Sequence, residues 1–235
     1  MAALYFDHMN IDPANPKWEK RDRLILSKGH VCPIQYAALG ILGYFEEEHL
    51  HTLRKEGSIL QGHPDMKKCP GIEISTGSLG QGLSVGVGMA LAAKHDGTGS
   101  RVYVIVGDGE LDEGQIWEAL MTAGKYKLDN LIVILDNNGL QVDGTQEEIM
   151  PHGDITAKMQ AFGFDVVDID GHNMEEIVEA LDQFDARKDG RVKFLHAHTV
   201  KGKGVSFMEN VVIWHGQAPN DAQYTQAMAE LEAAK

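Results

Sequence analysis

The chain has 235 residues, 43% hydrophobic and 24% charged, with a formal net charge of −14. That length and balance suit one globular α/β domain with a sizeable core, and the acidity argues against a nucleic-acid partner, whose phosphates need a basic face. Two cysteines, Cys32 and Cys69, have neither metal-ligand spacing nor a disulfide framework. They read as reduced thiols of a cytoplasmic protein. No apolar run reaches the length of a membrane span, and no basic segment followed by an apolar one marks a signal peptide.

Taken in order, Ala2–Phe6 looks like the end of a helix, followed by a loop with Asp12-Pro13, Asn15-Pro16 and Trp18. Asp22–Leu26 leads into Ser27-Lys28-Gly29-His30. A helix is expected from about Cys32 to Tyr44, then a charged, exposed helix over Glu46–Glu56. Leu60–Gly71 is a loop carrying Gly62-His63-Pro64. Ser75–His95 predicts a helix whose surface is built from glycine and alanine. Close approach of a cofactor at its N-terminal end would explain the cluster Gly77-Ser78-Leu79-Gly80. Close approach of another helix along the face would explain the alanines, and tight packing within the subunit explains them equally well. Gly80-x-Gly82 is a weak dinucleotide fingerprint, because the preceding run is short and no acidic residue closes a following strand at the right distance.

Val102–Val106 is an apolar, mostly β-branched run with the length of a buried strand. Gly107-Asp108-Gly109 follows as a turn signal. Ile116, Leu120, Ala123 and Tyr126 recur at helical spacing within a helix from Asp112 to about Tyr126. Leu131–Leu135 is a second strand, closed by Asp136-Asn137-Asn138. Asp154–Phe162 predicts a short helix and Phe164–Ile169 a third strand. Asn173 caps a helix over Met174–Phe184. Lys193–Ala197 is a fourth strand, and the basic, glycine-rich loop after it, His198–Gly204, could hold an anionic substrate or be solvated; composition alone favours the second. Gln223–Ala234 predicts a terminal helix. No repeat, low-complexity tract or linker suggests a boundary, so residues 1–235 read as one domain.

The strand–helix–strand unit over Arg101–Gly144 carries the chemistry. Its strands should be parallel with a right-handed crossover, and parallel strands bind ligands at their carboxyl ends. Asp108 and Asn138 each sit at such an end. Neighbouring strands lie about 5 Å apart, so the two side chains can share a metal ion. Both offer oxygen, which suits Mg²⁺ or Ca²⁺. Mg²⁺ usually takes one or two carboxylates plus ligand phosphates, and Gly107 and Gly109 free the backbone to approach a phosphate. The inference is a metal that clamps a diphosphate at the head of the sheet. Either turn alone is unremarkable; the pair on adjacent strands is far more specific.

GDGELDEGQIWEA and LDNNGLQVDG resemble the thiamine-diphosphate motif in its transketolase form. DRLILSKGH, GHP, STGSLGQGLS and WHGQAP match further segments of that family, and the resemblance runs from Leu4 to about Pro219. It implies a parallel-sheet thiamine-diphosphate fold, the diphosphate-binding domain, with helices on both faces. Asp108, Asn138 and the main-chain oxygen of Leu140 would bind the metal. Gly77, Leu79, Gly107, Asp108, Gly109, Glu110, Asn138, His63 and His215 would lie beside the cofactor. His30, His63 and His215 would contact substrate or cofactor and move protons, a task that suits histidine near neutral pH. Each of these loop histidines taken alone would read as merely solvated. Glu113 would face a neighbouring subunit, although placement of a first-turn acid by the helix dipole is the plain alternative. His172 reads as a loop residue.

The family's pyrimidine-binding and C-terminal domains find no counterpart in the sequence. Nor do an upstream helix and a Ser-Gly-His segment. The resemblance therefore implies the N-terminal subunit of a split transketolase, joined with a separately encoded C-terminal subunit into a heterotetramer acting on sugar phosphates of the pentose phosphate pathway. The rival expectations are a related ketol enzyme for an unusual sugar, a deoxyxylulose-phosphate-synthase relative and a non-catalytic assembly subunit.

Overall fold

The structure is a computed structural model and describes residues 1–234. Five parallel strands form one sheet in the order β1-β2-β3-β5-β4: β1 Arg23–Leu26, β2 Val102–Gly107, β3 Leu131–Asn137, β4 Asp165–Asp170 and β5 Lys193–His198. Seven α-helices accompany them: α1 Cys32–Ile41, α2 Gln81–Asp96, α3 Gly114–Tyr126, α4 Gln146–Ile149, α5 Ile155–Ala161, α6 Met174–Ala186 and α7 Asp221–Ala233. Four of these strands are where the sequence places them. β1 is an addition, because Arg-Leu-Ile-Leu is too short to show a period. The expected Glu46–Glu56 helix is instead a short 3₁₀ segment, Glu47–Thr52, and the helix from Cys32 ends three residues early, before Gly43 at φ +84°.

Strand alternation divides the core in two. Val102, Val104 and Val106 of β2 face Leu83 and Val87 of α2, Ile116 and Leu120 of α3 and Met159 of α5. Tyr103 and Ile105 face Tyr36 and Leu39 of α1 and Leu181 and Phe184 of α6. A side-chain period of two thus puts helices on both faces, as a fully buried parallel sheet requires. β2 pairs with β3 from Val102↔Leu131 to Gly107↔Asp136, so the turns after these strands emerge side by side. No described helix is long and apolar enough to cross a membrane.

The small residues of α2 differ in what they do for its packing. A Cβ on Gly86 would come within 2.4 Å of Val104 Cγ2, whereas one on Gly88 would meet nothing within 4 Å. Gly86→Ala should therefore destabilise the chain by about 1–3 kcal/mol through overpacking. Gly88→Ala should be neutral or add up to about 1 kcal/mol from helix propensity. Urea denaturation of the two variants checks the contrast.

Candidate active site

β2 ends in Gly107 and delivers Asp108 to the carboxyl edge of the sheet. This residue is only 3% exposed. Oδ1 accepts the N–H of Gly109 at 2.8 Å, and Oδ2 accepts that of Gly139 at 2.6 Å. The second bond ties the β2 end to the turn after β3. That turn is closed by Leu140 N–H donating to Asn138 Oδ1 at 3.1 Å. Asp108, Asn138 and Leu140 thus share one wall of a cleft of about 470 Å³, an ordinary volume for a cofactor site.

The cleft tests whether a metal–diphosphate pair would fit. Asp108 makes no ion pair among the described residues, and burial pushes its carboxyl up despite the two backbone N–H bonds. A buried carboxylate lacking a cation is costly, and a divalent ion removes that cost while leaving both backbone bonds intact. Each oxygen keeps a free lone pair. The donor set is all oxygen, as a hard cation requires. The residues present fit the group.

Lys28 and Lys201 supply the positive charge of the cleft. Lys28, at the β1 end, pairs with Asp136, which also accepts the Thr199 hydroxyl. Burial opposes ionisation of Asp136, but Lys28 and Thr199 outweigh it and hold the carboxyl low. Lys201 is half-buried and hydrogen-bonds His215 Nδ1 at 2.9 Å, so the glycine-rich loop is not the solvated strap that its composition suggests. His30 and His215 lie ring to ring at 5.1 Å. Burial, then the neighbouring His215, Lys28 and Lys201, hold His30 down to about 4. Burial and the same lysines lower His215. Both imidazoles are therefore neutral at pH 7 and able to accept a proton.

The other expected residues fall in distinct places. Leu79, Gly107, Gly109 and Glu110 line the cleft. Glu110 is buried and turned inward: it accepts Ser27 Oγ–H, Gly80 N–H at 2.8 Å and Gly107 N–H at 3.2 Å. It knots the β1 end, the α2 start and the β2 end together, which the motif does not reveal. His63 and Gly77 stand outside the cleft wall. His63 lies over Gly77, where a Cβ would meet its ring at 2.8 Å. Glu113 is exposed at the N-terminus of α3 with no capping bond, beside Gly80. His172 belongs to the cleft after all, its Nε2 accepting Val200 N–H at 2.7 Å. Lys28, Asp136, Thr199 and Lys201 join the site without a sequence signal of their own. Lys28 is part of Ser-Lys-Gly-His, but nothing local shows that Asp136 is its partner, 108 residues away.

Two outcomes are expected. The His30 imidazole, followed by NMR against pH, should titrate well below 6.5, and Lys201→Met should raise its value by removing a like charge. Glu110→Ala should cost at least about 2 kcal/mol in urea denaturation, because three buried donors lose their acceptor.

The family model described as transketolase, thiamine diphosphate binding domain, matches residues 1–232. The chain is 50% identical over 232 residues to the 6-deoxy-6-sulfo-D-fructose transketolase subunit SqwG of Clostridium sp. (strain MSTE9), covering 99% of this chain and 84% of that protein. It is 46% identical over 231 residues to an apulose-4-phosphate transketolase subunit of Phocaeicola vulgatus, covering 98% and 82%. The transketolase structure from Campylobacter jejuni superimposes with a TM-score of 0.91 at 35% identity, over 98% of this chain and 37% of that one. With its parallel sheet, its acidic and amide turns at adjacent strand ends and these matches, the chain belongs to the transketolase family and carries the thiamine diphosphate binding domain.

Proposed function

We propose that this chain is the diphosphate-binding subunit of a two-subunit transketolase that moves a two-carbon ketol unit from a ketose to an aldose. One observation carries the reading: the buried Asp108 carboxylate, without a cation of its own, held against the Asn138–Leu140 turn inside a cleft with two lysines. The subunit status is supported by the two relatives named as subunits, whose lengths this chain nearly spans.

Asp108, Asn138 and the main-chain oxygen of Leu140 would hold Mg²⁺ or Ca²⁺, with diphosphate oxygens completing the shell. Thiamine diphosphate, when bound, supplies carbanion stabilisation for breaking a C–C bond beside a carbonyl. Lys201 and Lys28 place positive charge beside anionic groups. His30 and His215, kept neutral, would take a hydroxyl proton; His63 would join them from above Gly77. Glu113, exposed at the α3 start, would face a neighbouring subunit. Residues 1–235 would form one diphosphate-binding domain, and the separately encoded partner would add the pyrimidine-binding side, in a heterotetramer.

A second reading concerns the sugar. The relatives above are named for 6-deoxy-6-sulfo-D-fructose and apulose 4-phosphate, which favours an unusual anionic sugar over the common pentose phosphates.

The isolated chain should show little or no turnover, and the protein encoded by the neighbouring gene should restore it. Full activity of the chain alone would contradict the proposal. A donor panel of xylulose 5-phosphate, fructose 6-phosphate and 6-deoxy-6-sulfo-D-fructose, assayed with the partner present, separates the two substrate readings. Asp108→Asn should weaken thiamine diphosphate binding in Mg²⁺, measured calorimetrically with the partner, by more than the roughly 10–100-fold typical of residues one shell out from a metal.

A further inference from the structure

The carboxyl edge of the sheet holds a second constellation, on the opposite strands from Asp108 and on the face covered by α5. His196 and His198 are two residues apart on β5, so both side chains point to one side of the sheet. Asp168 of β4 pairs directly with His196 in the parallel register. His196 Nδ1 lies 2.8 Å from Asp168 Oδ1, and His198 Nε2 lies 3.2 Å from the same oxygen. The two rings stand 4.2 Å apart, and the three ligand atoms all fall within 4.8 Å of one another. Thr156 of α5 completes the group, its Oγ1 3.0 Å from His196 Nδ1 and 2.9 Å from Asp168 Oδ2.

We propose that Asp168, His196 and His198 form a binding site for a borderline transition-metal cation of the Zn²⁺ class. Two imidazoles and a carboxylate are the donor set that such ions prefer over Mg²⁺ or Ca²⁺. A tetrahedral site with metal–ligand bonds of about 2.0–2.1 Å places its ligand atoms about 3.3 Å apart, against 2.8 and 3.2 Å from Asp168 Oδ1 to the two imidazoles and at most 4.8 Å between any two of the three. Small side-chain rotations suffice, since Asp168 and His198 are both exposed enough to move.

The surroundings add an outer shell. His196 is 5% exposed, and its Nε2 lies 2.9 Å from Asn137 Nδ2. The Asn137 amide, turned by 180°, presents its oxygen to an Nε2–H instead. That tautomer leaves the Nδ1 lone pair free for the metal, the usual arrangement for a ligating histidine. Thr156 or a water takes the fourth position. The bound ion would fasten β4, an edge strand, to β5 and α5. Without an ion, His196 Nδ1–H and His198 Nε2–H each donate to Asp168 Oδ1; a metal would replace those two bonds with ligation by the same three atoms.

The site differs from the Asp108–Asn138 site in donor type, so failure of either leaves the other standing. The test uses the full-length, tag-free chain stripped with chelator and kept in excess Mg²⁺, which occupies oxygen sites. Zn²⁺ is titrated by calorimetry, and Co²⁺ is titrated by visible absorption to report tetrahedral coordination. One ion per chain is expected. His198→Ala and Asp168→Asn, both at exposed positions, should each lower Zn²⁺ affinity at least about tenfold, while His172→Ala should leave it unchanged. Zn²⁺ at a hundredfold excess over its Kd should raise Tm by about 5–10 °C in the parent chain and by much less in the two variants. Absence of Zn²⁺ binding in the parent chain would overturn the proposal. So would affinity and Tm shift that persist unchanged in His198→Ala and Asp168→Asn when circular dichroism shows both to be folded.

Discussion

A buried carboxylate bonded to the backbone of the next strand's turn sets the geometry of the whole upper edge. The Asp108–Gly139 contact at 2.6 Å holds two loops that would otherwise move independently. It does so without neutralising Asp108, because hydrogen bonds from amides share a charge but do not cancel it. The fold carries a buried carboxylate, with no ion pair among the described residues, at the edge where the proposed metal and diphosphate would meet. Site and scaffold are therefore one problem: the same turn that commits its N–H to Asp108 presents Asn138 and Leu140 to the cleft.

Electrostatics around that point are arranged by pairing rather than by excess. The chain carries a net charge of −14, yet the cleft contains Lys28 and Lys201. Lys28 is balanced by Asp136. Lys201 has no carboxylate at hydrogen-bond distance among the described residues and leans on His215 instead. Its charge adds to burial, the larger cause, in holding His30 and His215 below the usual imidazole range, and it leaves a cationic side chain beside the cleft. Glu110 lies just beneath, its charge shared among a hydroxyl and two backbone amides, which fixes three chain segments that meet under the cleft.

What can be read from the sequence follows the range of the interaction. The strand runs, the Asp108 and Asn138 turns and the Asn173 cap are set by neighbours a few residues away, and the structure reproduces them. Lys28 with Asp136, Glu110 with Ser27 and Gly80, and Lys201 with His215 depend on segments brought together only by the sheet, so their partners are not legible. Glu110, expected beside the cofactor, does line the cleft, but its oxygens are taken up within the chain. His172 escapes notice because its Gly-His-Asn surroundings look like any loop; its role comes from Val200, across the sheet edge. The Asp168, His196 and His198 group has no compact motif, since the strand register alone makes the carboxylate a neighbour.

The order of strands also constrains how the molecule is made. β4 precedes β5 along the chain, yet among the described residues β5 is its only partner and separates it from β3. During synthesis β1, β2 and β3 can assemble while β4 waits with its amides and carbonyls unpaired. The β3 edge stays open for the same interval, and exposed edges invite wrong pairing. Insertion of Lys193–His198 pairs the open β3 edge and one side of β4 at once, so the last of the five strands to leave the ribosome acts as the keystone of the sheet.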